Sequence, residues 1–377
     1  MKRRKLTAFT WPCLALALFS LSSMALAQMA PAVSADQSQA AEVVVYPAPP
    51  LGFDPLAASE AGLEIYGFPP RPDQATAPEA YAHWKRLVST PQTRISNPRF
   101  EQTEIHHAPA HILSVSPASG DNPTGATIAA STNWSGYAVV GANGLFKVNN
   151  NSVYAEFVVP IAQQAFGKCD GAEWWSFEWV GFDGWGPGSK DVLQAGTETD
   201  ALCSGGVTTS FYSAWYEWAP NAEIRITGFP VNPGDLMGVE VWYTTASKHG
   251  HAYLINFTTT QSGTYGFNPP NGTTYVGNSA EWIVERPTVL GKLTNLTNYV
   301  ADQFNYAEAW VQNGSTKTYY YPGTTPAGTT NVYNILMACG PAPSWSPPAS
   351  CPSGTELSYA NLYGMYTLWF YNKPPSY

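Results

Sequence analysis

Beyond residue 130 the sequence holds few groups suited to nucleophilic or metal chemistry: two histidines, His249 and His251, and four cysteines, Cys169, Cys203, Cys339 and Cys351. A Ser-His-Asp or Cys-His enzyme would need one of those two imidazoles as its base. Both stand in a Lys-His-Gly-His stretch that reads as an exposed turn. The H-E-x-x-H, G-x-S-x-G and C-x-x-C patterns are absent, so the zinc-peptidase and α/β-hydrolase signals fail and we expect no metal and no cofactor. Carboxylates are then the acid–base groups. In Ala280-Glu281-Trp282-Ile283-Val284-Glu285 a strand places Glu281, Ile283 and Glu285 on one face. At about 3.3 Å per residue the two glutamates stand roughly 13 Å apart, too far to share a proton or to serve as a retaining-glycosidase pair. A single glutamate with a different kind of partner fits better. Glu281 either faces water or is buried for a reason, since burial without partners is expensive. The same two readings apply to Gln194, an amide set in the apolar run Val192-Leu193-Gln194-Ala195-Gly196.

Aromatic and acidic residues alternate nearby. Trp179-Val180-Gly181-Phe182-Asp183 puts Trp179, Gly181 and Asp183 on one face by period two, and Tyr212 to Trp218 forms a second such strand, containing Glu217. Faces of this kind line grooves for extended polymers, peptide or glycan, and they also make ordinary sandwich core.

The elements that must position these residues are strands. From Ser131 onward short alternating runs are separated by Gly, Pro and Asn, as in an all-β sandwich. Ser152–Val159, Phe211–Trp218, Val239–Thr244, Ala252–Thr258 and Ala280–Arg286 are the clear cases. Residues 28–130 differ: they are rich in proline, carry one expected helix at Pro78–Ser89 and hold four of the six histidines, and they read as a removable extension. Residues 1–27 have the build of a signal peptide, with Lys2-Arg3-Arg4-Lys5, an apolar stretch from Ala8 to Met24 and Ala25-Leu26-Ala27. The expected product is secreted, extracellular and free of the membrane once the signal is removed. In that oxidising setting the four cysteines read as two disulfides, and of three pairings Cys169–Cys203 with Cys339–Cys351 closes the shortest loops. A net charge of −9 with no basic cluster beyond residue 5 argues against nucleic acid. Residues 131–377 carry 9 Lys+Arg against 17 Asp+Glu, so few carboxylates can pair and acid has little to break.

Five segments in order decide between the readings: Asn133-Trp134-Ser135-Gly136-Tyr137, Trp179 to Gly184, Val192 to Gly196, Ala214 to Pro220 and Ala280 to Glu285 together resemble the glutamic peptidases, or eqolisins. Tyr66-Gly67-Phe68-Pro69-Pro70-Arg71-Pro72 and Tyr81-x-x-Trp84 resemble the leader ahead of bacterial members. The resemblance implies a bent antiparallel β-sandwich of two packed sheets, a concanavalin-like jelly roll, at residues 131–377, preceded by a propeptide at 28–130 cut near Gly125–Ser131. It implies a monomeric acid endopeptidase acting on proteins or peptides, with Gln194 and Glu281 catalytic, Trp134, Trp179, Asp183 and Glu217 in the cleft wall, and the propeptide as intramolecular inhibitor. In one respect the chain departs from the family: the segment between Asp183 and Gln194 lacks a cysteine. The leader histidines His83, His106, His107 and His111 should turn cationic in acid, which suggests self-removal on acidification. A carbohydrate-binding module or glycosidase is the competing class. A purely structural β protein would leave Gln194 and Glu281 on separate faces.

Overall fold

The structure, a computed structural model, describes residues 43–116, 126–141, 144–147, 150–165, 170–186, 189–323, 330–340, 354–363 and 366–371. The expected signal peptide, Cys169 and Cys351 lie outside those residues. Cys203 and Cys339 are both in disulfides.

Strand-forming alternation is met by long antiparallel ladders. In the front layer Ile224–Thr227, Val207–Ala219, Val192–Ser204, Asp170–Phe182, Ser279–Glu285, Trp134–Gly141 and Thr330–Ala338 pair in that spatial order. In the back layer Gln261–Phe267, His249–Asn256, Leu236–Thr244, Asn150–Val158 and Ala301–Asn313 do the same. Strands Glu356–Tyr363 and Tyr366–Tyr371 link the two layers at one side. Alternate residues of each strand meet between the layers: Val180, Phe182, Leu193, Trp282 and Val284 from the front pack with Val153, Phe157, Val239, Val241 and Leu254 from the back. Trp282 ties the layers by donating from its indole to the Tyr154 carbonyl at 2.9 Å. The fold is the expected antiparallel β-sandwich, and the expected strands fall within or overlap the observed ones.

The turn-like reading of Lys248-His249-Gly250-His251 needs correction. The chain reverses one step earlier, with Lys248 at φ 60° closing the turn onto Thr244, and the histidines begin the strand His249–Asn256. His251 is buried against Trp242, its ring nitrogens meeting the Tyr46 and Thr244 hydroxyls at 3.1 Å each. Burial, then the neighbouring His249, pulls its pKa down to about 3, which suits a core histidine better than a surface one.

The leader is built onto this frame. Pro78–Ser89 is the expected helix: Pro78 opens it, Ala80, Trp84, Leu87 and Val88 make one apolar face, and Thr90 before Pro91 stops it. A shorter helix, Glu60–Ile65, was not signalled by periodicity and is capped by Ser59, whose hydroxyl accepts from the Gly62 amide. The two leader motifs pack on one another, with Phe68 and Trp84 in one cluster and the Trp84 indole donating to Pro69 O at 3.0 Å. Leu87 docks on Tyr154, Trp242, Tyr253 and Ile255 of the back layer. The chain then pairs Arg99–Gln102 with Ile224–Thr227 at the front layer's edge and Ile105–His106 with Thr288–Val289. Thr127–Ser131 is itself a strand, bonded to Ile112–Ser116 on one side and Thr330–Ala338 on the other. A boundary at 130/131 therefore falls inside a paired strand.

Candidate active site

Three neighbouring strands of the front layer set the site. Gln194 is in register with Gly181, and Glu281 is in register with the same Gly181 from the opposite side. Registered residues on adjacent strands project from one face, so both side chains rise on the layer's outer face, two strand spacings or about 9.6 Å apart at the backbone. The residue between them has no side chain. A Cβ there would stand 2.9 Å from Gln194 Cβ and 2.7 Å from the Leu193 carbonyl. The row continues to Glu217, in register with Gln194, and to Ala138, in register with Glu281. Two residues along, Trp215, Gly196, Trp179, Ile283 and Gly136 form the next row. Phe177, Glu285 and Trp134 stand in the one after it.

Of the two readings open for Glu281 and Gln194, burial holds: both side chains are fully enclosed. Both oxygens of Glu281 and the Oε1 of Gln194 lack a hydrogen-bond partner among the described residues. Burial pushes the Glu281 carboxyl well above its usual range; the nearby Ser279 hydroxyl works against this, and the charges of Asp183 and Asp191 add to it.

The cleft residues expected from the sequence divide in two. Trp179 and Trp134 meet edge to face at 4.9 Å, and the Trp179 indole donates to Glu285 at 2.9 Å. Glu217 belongs to the central row. Asp183 does not continue the alternation of its strand, which ends at Phe182; with φ 69° it turns away from the face. Its carboxylate accepts from the backbone amides of Val276, Gly277 and Asn278 at 3.2, 2.7 and 2.7 Å, which fixes the approach to the Glu281 strand. Burial and then Asp191 raise its pKa to about 7 against the pull of those amides.

The leader occupies this face. The His107 amide donates to both oxygens of Glu217 at 3.2 Å, and the Gln194 Nε2 donates to the His107 carbonyl at 3.4 Å. The imidazole is enclosed, stacked at 10° on Trp215 with centroids 4.1 Å apart. Its Nδ1 and Nε2 lie 3.2 Å from Glu285 and Glu223. Sequence reasoning did not single out Glu223, Glu285 or Trp215 as partners of a leader histidine. Period two from Glu281 had already put Glu285 on the right face, but Glu223 follows a Pro-Asn turn and gave no signal. Of the other leader histidines, the His83 ring reaches Glu308 at 3.4 Å, and the His111 backbone amide donates to Asn133 Oδ1 at 2.8 Å.

The profile of the Peptidase A4 family, the glutamic peptidases or eqolisins, matches residues 132–335. The chain belongs to that family. It is 30% identical over 200 residues to aspergillopepsin-2 of Aspergillus niger, covering 49% of this chain and 66% of that protein. It is 29% identical over 173 residues to scytalidopepsin B of Scytalidium lignicola, covering 46% and 58%. The chain thus spans just under two thirds of the first relative's length and less of the second's. Among solved structures it is similar to aspergilloglutamic peptidase from Aspergillus niger, at 25% identity, 53% of this chain, 99% of that one and a TM-score of 0.39.

Proposed function

We propose that this chain is the precursor of a secreted, acid-acting endopeptidase that hydrolyses peptide bonds with a water activated by Glu281 and Gln194 and forms no covalent intermediate. The observation that carries the reading is the pair of enclosed side chains flanking Gly181, with Gln194 Oε1 and both Glu281 oxygens lacking a hydrogen-bond partner among the described residues. Buried oxygens without partners are acceptors that one water can satisfy together. Glu281 takes a proton from that water. The neutral Gln194 amide donates to the oxyanion at any pH, and Glu281 returns the proton to the leaving amine. Trp134, Trp179 and Glu217 form the cleft around the pair, and Asp183 holds the loop that aims Glu281.

Residues 28–130 act as an inhibitory propeptide after removal of signal residues 1–27, with the catalytic domain beginning near residue 131. The reading is supported by the leader carbonyl at Gln194 and by the full enclosure of Glu281, whose carboxyl burial holds well above its usual range. Acid charges the leader histidines and neutralises the leader's own carboxylates, which turns the segment from net negative to net positive and favours its self-removal. Disulfides Cys169–Cys203 and Cys339–Cys351, a monomeric state and extracellular location complete the proposal. Among the described residues no helix is long and apolar enough to cross a membrane.

Casein or haemoglobin digestion across pH 2–7 with pepstatin present tests the activity. Digestion confined to acid and lost in processed Glu281→Gln supports it; undiminished digestion by that variant ends it. Incubating the precursor at pH 4 tests self-removal, which should shorten the wild type and leave precursor Glu281→Gln intact.

A further inference from the structure

The pocket around the His107 ring has a place in the reaction. We infer that it is the subsite for the side chain on the acyl side of the bond to be cut, and that it selects an imidazolium or another cationic side chain. The inference rests on the peptidase reading above and deepens it. A residue whose carbonyl meets the oxyanion donor is the one whose carbonyl water would attack, and here that residue is His107.

On both sides of this carbonyl the leader is held as an extended ligand. Before it, the Glu223 amide donates to Ile105 O at 3.0 Å, the Thr103 amide donates to Glu223 O at 3.1 Å, and the His107 amide is clamped by Glu217. After it, the Asn133 side-chain amide donates to Ala108 O and Pro109 O at 3.2 and 3.3 Å, and the Ala110 amide donates to Gly184 O at 3.0 Å. A bond between residues 107 and 108 thus lies beside the Gln194 amide with both flanks fixed.

Selectivity follows from the ring's neighbours. Each imidazole nitrogen faces a carboxylate oxygen 3.2 Å away, Glu285 on one side and Glu223 on the other. A neutral imidazole has one donor and one acceptor, whereas an imidazolium has two donors; the cation donates to both acids, whose carboxyls burial holds above the usual range, and a neutral ring donates to one alone. Trp215 stacks beneath the ring and Phe177 meets it edge-on at 4.4 Å, the setting in which a flat cation is favoured. The nearby guanidinium of Arg225 does not compete for the place. It grips Glu198 at 2.9 and 3.1 Å and stands 3.9 Å from Glu223 and 4.0 Å from Glu101. An aliphatic side chain in the pocket would remove the ring's donors and leave Glu285 with the Trp179 indole and the Asn133 amide and Glu223 with Arg225 at 3.9 Å.

Processed enzyme and synthetic peptides with the sequence of residues 101–111 test this at pH 4, where a peptide histidine with an ordinary pKa of about 6.5 is cationic. The peptide is made as is and with His107→Lys, His107→Leu and His107→Gln, and kcat/KM and the cut position are read by mass spectrometry. The expected result is cleavage between 107 and 108, with His preferred to Leu and Gln by about tenfold or more, the worth of a charge-assisted hydrogen bond. Cleavage elsewhere, or Leu cut as fast as His, overturns the inference. In the enzyme, Glu223→Gln should collapse the His-over-Leu ratio and Glu223→Asp should keep it; a ratio unmoved by Glu223→Gln also overturns it. Casein digestion that needs Gln194 and Glu281 while histidine is not preferred removes this subsite alone. Failure to cut casein or any peptide removes the peptidase reading with it.

Discussion

Gln194 and Glu281, 87 positions apart in sequence, are in register with one and the same residue, Gly181, from its two sides. The strand between them contributes no side chain at that point, so the amide and the carboxyl can lean toward each other over bare backbone. Strand order, two ladder registers and one glycine together produce the convergence.

Removing the amide should slow the enzyme without unfolding it. Loss of one oxyanion donor costs about 10²–10³ in kcat, so processed Gln194→Ala is expected in that range with near-normal KM on a peptide substrate. Glu281→Gln should show no measurable turnover. Steady-state kinetics on variants with native circular dichroism decide this.

Gly181→Ala should close the gap. Its added carbon would lie 2.7 Å from the Leu193 carbonyl and 2.9 Å from Gln194 Cβ, both on the neighbouring strand, so strand or side chain has to shift. Overpacking costs about 1–3 kcal/mol, and the larger effect should be on kcat, because the displaced group is the amide proposed as the oxyanion donor. Parallel thermal melts and turnover measurements separate the two.

Stability should be greatest in acid and fall toward neutrality. Burial raises Glu178 and Asp183 to about 7 and Glu240 to about 8, above the ordinary 4.5 and 3.8. For acids raised in this way the folded state binds protons more tightly than the unfolded one. Their contribution is therefore complete below the ordinary values and is lost as pH rises through the folded ones. The melting temperature should decline between about pH 4.5 and 8; a flat or rising profile would count against the buried acids. Scarcity of ion pairs already suggested acid tolerance from the sequence, and burial turns tolerance into preference.

Leu87→Ala should loosen the leader alone. The side chain is fully buried against Tyr154, Trp242, Tyr253 and Ile255 of the back layer, and such truncations cost about 2–5 kcal/mol. The precursor is expected to melt earlier and to mature sooner at pH 4. Processed enzyme from the same gene should match wild type, since residue 87 has left with the leader. Melting curves of both forms, taken before and after acid treatment, make the comparison.

Asp183→Asn should act at a distance from the reacting groups. The amide keeps one acceptor for the three backbone N–H groups of Val276 to Asn278 and places an NH₂ against them. The variant should lose stability and lower kcat more than it changes KM, because the approach to the Glu281 strand is loosened. Unchanged kcat in a folded variant would remove Asp183 from any role in positioning.

Much of the architecture was legible along the chain because strand alternation and helix capping are local. The helix at Pro78–Ser89 and the strand around Glu281 follow from period and punctuation within a dozen residues. Asp183 departs from this because one residue at φ 69° breaks the period, which composition does not announce. His251 departs because its hairpin turned one residue earlier than Gly and His suggested. Whether Glu281 and Gln194 faced water or lay enclosed could not be told from an apolar run, since both settings give the same pattern.

By itself the sequence determined which residues could serve as acid, base and donor and that they sit on strands. Only the tertiary structure decided that Gly181 lies between Gln194 and Glu281, that the leader's His107 fills a pocket of Glu223, Glu285 and Trp215, and that Asp183 faces a loop. The physical reason is range. Periodicity fixes the face on which a side chain projects, whereas its neighbour across the sheet depends on which distant strand packs alongside and in what register, and that is settled by burial of the whole core.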